Sequence, residues 1–243
     1  MSKAHSSLET YFRDTHTLLY SYLISLPLLL LYEVLIIFTQ PNPRQTVRIS
    51  VDIWIKTLFS YFGNNVLSIT LILVALAGII ILYYERDRLS TLKLRYFAGM
   101  LGEAFLYAFG LALLLSAIVG AIMQILQSGS VESLSILQKI ALSLGAGLYE
   151  ELFFRVLLVS GLVYVFNFFF TKKWASFTAA IILAALLFSL VHYVGAFGDP
   201  FMIGSFLFRF LFGLSLNAIY LWRGFGVAAW THAIYDIMIV VFG

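Results

Sequence analysis

Cysteine is absent from this chain. That excludes disulfides and thiolate metal sites, and it leaves the redox compartment unread. Charge is scarce. Only 11% of the 243 residues are charged, against about 25% in an average soluble domain. The formal charge of +3 is small, and it gives no footing for nucleic-acid binding. Internal repeats, linkers and low-complexity tracts are missing, so a single integral membrane domain is expected over 1–243. The H-E-x-x-H spacing of common zinc proteases is also missing. The first apolar run begins near Leu18. It is too long and too late for a typical cleaved signal, and no small-x-small cleavage site follows it, so it is expected to be a membrane helix.

Apolar residues take the place of what is missing. The chain is 62% hydrophobic, with a mean hydropathy of +0.98. These values imply a multi-pass integral membrane protein, in the cell membrane if the source is bacterial, with the lipid bilayer as its solvent. A crossing needs about 20 mostly apolar residues. Candidate spans are 18–38, 67–84, 100–126, 138–169, 174–192, 201–222 and 225–242. Backbone amides in lipid must be satisfied within the segment, so these spans are helices. The fold class is therefore all-α, a polytopic bundle of about seven or eight transmembrane helices around a polar cavity. The fourth span is long for one straight crossing, and Gly145 and Gly147 mark a break, a tilt or an entry segment. Ile49–Phe62, with Asp52 and Lys56 among apolar residues, reads as an interfacial helix or part of an eighth crossing.

With the N-terminus inside, the inner segments hold Lys3, Arg13, Arg86, Arg88, Lys93, Arg95, Lys172, Lys173 and Arg223. The outer segments hold Arg44, Arg48, Lys56 and Lys139. The excess favours a cytoplasmic N-terminus. Tyr83, Tyr84, Tyr96, Trp174 and Trp222 would then form the inner aromatic belt.

The ionisable residues inside the spans are the informative ones, because each costs about 2.5–3.5 kcal/mol at a helix centre on insertion scales. They fall into spaced groups. Glu150, Glu151 and Arg155 come first. Glu151 and Arg155 are at i,i+4 and can pair, while Glu150 is turned about 100° away on an α-helix. One carboxylate can thus be an ion-pair partner while its neighbour faces a cavity. The second group is Phe188-Ser-Leu-Val-His192, in which Phe188 can pack beside His192. The third is His232-Ala-Ile-Tyr-Asp236, whose ends share a face. A carboxylate and two histidines suffice to activate water: a desolvated glutamate is a stronger base, and a histidine can donate to a tetrahedral oxyanion. Glu33 and Glu103 are expected to partner buried polar groups or lie near water. Arg209 is expected to be such a partner or to contact substrate. Gly204 and Gly213 are expected to permit close helix approach.

E-E-x-x-x-R, F-x-x-x-H and H-x-x-x-N/D on successive late helices resemble the CAAX protease and bacteriocin-processing family of intramembrane endopeptidases, which includes the type II CAAX prenyl endopeptidases. The resemblance covers about 135–243. It implies that Glu150 activates water, that His192 holds that water, that Glu151 and Arg155 brace the site, and that His232 and residue 236 stabilise the oxyanion. Asparagine is common at the last position, whereas this chain has Asp236. An ionised carboxylate cannot donate, so Asp236 acts there protonated or else orients His232. The implied substrate is a membrane-associated peptide or protein; nothing in the residues identifies a lipidated one.

Two other readings stay open. Glu150, His192 and His232 would also suit catalytic zinc, although a metal-free glutamate mechanism with no cofactor is favoured. The same residues would also fit a non-proteolytic membrane protein serving as an immunity factor, scaffold or partner-binding subunit. A proton-coupled transporter is disfavoured by the lack of repeats.

Overall fold

The computed structural model describes residues 7–40, 47–60, 66–123, 134–194 and 198–242. Several of the expected features fall outside them: Lys3, Arg44, the end of the interfacial segment at 61–62 and the end of the third span at 124–126. Among the described residues the secondary structure is helical, with no strand. In chain order the helices are α1 (Ser7–Thr15), α2 (Leu18–Thr39), α3 (Ser50–Ser60), α4 (Val66–Tyr84), α5 (Leu94–Met123), α6 (Ile136–Gly145), α7 (Ser160–Phe166), α8 (Lys173–Val191), α9 (Ile203–Arg223) and α10 (Phe225–Phe242). Between α6 and α7 lie two π-helical segments, π1 (Ala146–Glu150) and π2 (Leu152–Val159).

Five described segments are long and apolar enough to cross a membrane: α2, the first part of α5 to Leu115, α8, α9 and α10. The apolar run Thr70–Tyr84 of α4 is shorter. The chain is thus a polytopic helical membrane protein. Its outer surface carries Leu30, Ile37, Phe38, Leu106, Tyr164 and Phe168, all well exposed, as a lipid-facing surface requires.

The expected fourth span is continuous from α6 through π1 and π2 into α7, with Gly145 ending α6 and Gly147 inside π1. Ser135 caps its start through a reciprocal capping box with Gln138. Gly145 lies against the Tyr32 ring, where an added Cβ would sit 2.5 Å from a ring carbon. At Gly147 an added Cβ would lie 2.4 Å from the Ala229 carbonyl oxygen. The backbones of this helix and of α10 therefore cross in near contact, in the manner of small-residue interfaces in membranes.

Helix α10 is the hub of the bundle, packing on α2, α5, α6, α9 and both π segments. Its inward residues Val227, Ala228, Ala229 and Ala233 are fully buried. Their small side chains let the neighbouring backbones close in, which brings the polar residues of α10 within reach of π1 and π2.

Two charged networks tie the bundle together outside the three motifs. Glu33 of α2 meets Arg48 at 3.0 Å and Lys56 at 2.8 Å, and both cations also reach Asp52. Tyr32 donates to Asp52 at 2.8 Å. Burial would lower the pKa of Arg48, but its hydrogen bonds to Glu33 and Asp52 raise it above the ordinary arginine value. With 11 residues and a rise of about 1.5 Å each, α3 is too short for a crossing of about 30 Å. These pairs tie it to α2. At the other network, Arg223 bonds Glu103 and Thr15, and Tyr11 donates to the same Glu103. The Tyr11 phenol is raised above its usual pKa by burial and by that hydrogen bond.

Glu33 and Glu103 are therefore partners of part-buried or buried cations, but Arg209 is not among those cations. Tyr83, Tyr84, Trp174 and Trp222 are exposed at helix ends. Tyr96 departs from the expected belt. It is 7% exposed and packs on Tyr11 and Tyr20, because α1 and α2 cover the start of α5.

Candidate functional site

The Gly147 crossing places the site. Glu151 follows Gly147 by four residues, and His232 follows Ala229 by three, so the two side chains emerge toward one another just past the point of closest approach. Glu151 is fully buried. One of its oxygens, Oε1, forms an ion pair with Nη1 of Arg155 at 2.9 Å and accepts from Nδ1 of His232 at 2.7 Å. On the far side of the same imidazole, Nε2 lies 3.5 Å from Oδ2 of Asp236. Glu151, Arg155, His232 and Asp236 thus form one polar chain across two helices.

Arg155 is itself fully buried. Its Nη2 donates to the Gly213 carbonyl at 3.4 Å, and its guanidinium lies 4.6 Å from the centre of the Phe188 ring, a cation–π contact. Among the described residues, Nε and Nη1 of Arg155 and Oε2 of Glu151 are buried without a hydrogen-bond partner. Gly213 makes room for this, since an added Cβ would stand 3.0 Å from the Phe188 ring.

Phe188 links the two histidines. Its ring centre lies 5.1 Å from that of His192 and 6.0 Å from that of His232. His192 caps the C-terminus of α8, and its Nδ1 is 2.7 Å from the carbonyl of Phe188. A carbonyl can only accept, so Nδ1 carries the proton. In neutral His192 the Nε2 lone pair is then free to accept from water or substrate. The same reasoning gives His232 a proton on Nδ1, facing the Glu151 carboxylate.

Glu150 stands apart from its neighbour. It is part-exposed, and it has no hydrogen-bond or ion-pair partner among the described residues, though its charge acts on Arg155. The division between a buried bracing glutamate and a freer one therefore agrees with the i,i+4 reading. The winding beneath it does not: Glu150 ends π1 and Arg155 lies in π2, not on a regular α-helix. π segments favour functional sites, and this one widens the helix where the charges gather.

Some neighbours escaped sequence reasoning. Phe212 packs edge-on to His232 at 5.1 Å, and Ser189 donates to the Phe206 carbonyl at 2.7 Å. The polar Ser189 within an apolar span was the available signal; Phe212 offered none. Among the described residues no three His, Asp or Glu side chains converge as a metal-holding group, and that includes Glu150, His192 and His232. An apolar cavity of about 360 Å³ lies between α2, α4 and the motif helix, against Leu148, Leu152 and Val156. None of the three motif carboxylates or the two histidines lines it.

No curated protein and no solved structure matches the chain. Residues 132–238 match the family described as type II CAAX prenyl endopeptidase Rce1-like. That stretch runs from the residues preceding α6 to α10 and holds all three motifs. Over that stretch the chain is similar to the Rce1-like type II CAAX prenyl endopeptidases.

Proposed function

We propose that this protein hydrolyses a peptide bond of a membrane-associated peptide or protein, with Glu150 as the base and without a metal. Glu150 takes a proton from water as the oxygen attacks the scissile carbonyl carbon. His192 accepts the water's other hydrogen through Nε2 and so orients it. A proton held between His232 and Asp236 is donated toward the developing oxyanion. When the carbon–nitrogen bond breaks, Glu150 returns its proton to the leaving amine. Glu151 and Arg155 take no part in these transfers; they hold His232 in its orientation.

The single observation that carries this reading is the contrast between the two adjacent glutamates. Glu151 is fully buried and held at Oε1 by an ion pair with Arg155 and a hydrogen bond from His232, whereas Glu150 is part-exposed and has no partner among the described residues. A base must be free to exchange a proton, and a brace must not. The His232–Asp236 arrangement also gives the aspartate a use: a protonated Asp236, or the imidazolium beside it, supplies the donor that an ionised carboxylate lacks.

The test is cleavage of a panel of apolar peptides by the purified protein in liposomes, with zinc analysis of the same preparation. The expected result is cleavage that persists in chelator and disappears in Glu150→Gln and His192→Ala. Wild-type turnover by both variants would overturn the assignment. Stoichiometric zinc, with activity lost to chelator and restored by zinc, would overturn the metal-free step. A cellular phenotype that survives Glu150→Gln at normal expression would favour the non-proteolytic alternative.

A further inference from the structure

Beyond the three motifs, Arg209 and Tyr193 bring unused hydrogen-bond donors together beside His192. Tyr193 follows His192 directly, and Arg209 of α9 lies over its ring, the guanidinium 5.1 Å from the ring centre. Asp199 closes the intervening loop: its backbone N–H donates to the His192 carbonyl at 2.9 Å, and its carboxylate pairs with Nη2 of Arg209. Among the described residues, the other guanidinium nitrogen, Nη1, is buried without a hydrogen-bond partner, and so is the Tyr193 hydroxyl. Buried donors of this kind are rare unless something pairs with them.

We propose that Arg209 Nη1 and the Tyr193 hydroxyl form a subsite for a carboxylate of the peptide substrate, seating the chain next to His192. Arginine is permanently charged and carries five donors. With Nη2 given to Asp199, the free Nη1 and the adjacent phenol offer one donor to each oxygen of an incoming carboxylate. Asp199 holds the guanidinium through Nη2. The carboxylate can come from the peptide's C-terminus or from an acidic side chain. The site then selects where along a peptide the cut falls, because it fixes the distance from that charge to the scissile bond. This inference rests on the protease reading only in assigning the ligand to substrate.

Binding measured on the full-length Glu150→Gln protein in detergent tests the subsite without requiring turnover. The probes are three fluorescent apolar peptides of one sequence: with a free C-terminal carboxylate, with a C-terminal amide, and with the amide plus one internal aspartate. One of the two carboxylate peptides is expected to bind about tenfold or more tightly than the plain amide, and which one does so identifies the source of the carboxylate. Arg209→Gln should abolish that preference while leaving the amide peptide's affinity unchanged. Tyr193→Phe, which removes only a hydroxyl, should weaken the preferred peptide alone and serves as the readout if Arg209→Gln does not fold. Equal binding of all three peptides, or a preference that survives both substitutions, would overturn the subsite. Absence of cleavage by the wild-type protein, with the preference intact, would instead overturn the protease reading.

Discussion

Glu151 and His232, 81 residues apart in sequence, meet at 2.7 Å in the buried centre of the bundle. The contact makes the first and third motifs one unit. It also explains why Arg155 is tolerated there: its charge is answered by a carboxylate already committed to a histidine. Removing one partner of a buried pair typically costs about 3–5 kcal/mol, because it strands the other charge. Glu151→Gln and Arg155→Met should therefore each lower the thermal unfolding temperature in detergent substantially. The double variant should lose less than the sum of the two. Additive losses would show that the two residues do not act as a pair.

The Gly147–Ala229 crossing gives a steric prediction. Alanine usually improves a helix interior over glycine by about 0.5–1 kcal/mol. At Gly147 its methyl group would strike the Ala229 carbonyl, and overpacking of this kind costs about 1–3 kcal/mol. Gly147→Ala should destabilise the protein and reduce activity by displacing Glu151 from His232. Gly102→Ala, where an added Cβ meets nothing within 4 Å, should be neutral or stabilising in the same melts.

Asp236 can be examined by giving it the donor it is proposed to supply. Asp236→Asn places a permanent N–H donor beside His232 and should keep activity close to wild type. Asp236→Leu removes the donor, and turnover should fall by about 10²–10³, as on loss of an oxyanion donor. If the asparagine variant is as inactive as the leucine one, the carboxylate works by a route other than donation.

The pairs holding α3 predict a stability effect remote from the chemistry. Arg48 bridges Glu33 and Asp52, so Arg48→Ala should expose the backbone of α3 to faster hydrogen exchange while leaving the π segments protected. Unchanged exchange in α3 would mean that packing and not charge holds it.

The residues of the site were legible in the sequence because charge in an apolar span is expensive and its spacing is informative. Glu151 with Arg155, and Phe188 with His192, follow directly from turns of helix. The contact between Glu151 and His232 was not legible, since it depends on how closely two backbones cross at Gly147, and a glycine shows only that closeness is possible. The π winding had no residue signature either. Asp52 with Lys56, and Arg48 with Asp52, stand at i,i+4 spacing and were readable as pairs. Their common partner Glu33 belongs to another helix and required the tertiary fold. Tyr96 was misplaced at the interface because an aromatic at a helix end reads the same whether lipid or α1 covers it.

The central claim is that two adjacent glutamates have opposite jobs, and paired measurements on Glu150→Gln and Glu151→Gln test it most directly. For each variant, peptide cleavage in liposomes is set beside the unfolding temperature in detergent. The account predicts that Glu150→Gln melts like the wild type but does not cleave, while Glu151→Gln melts at a clearly lower temperature and keeps measurable cleavage at temperatures where it is folded. A Glu150→Gln protein that cleaves normally, or a fully stable Glu151→Gln protein with no activity, would contradict it.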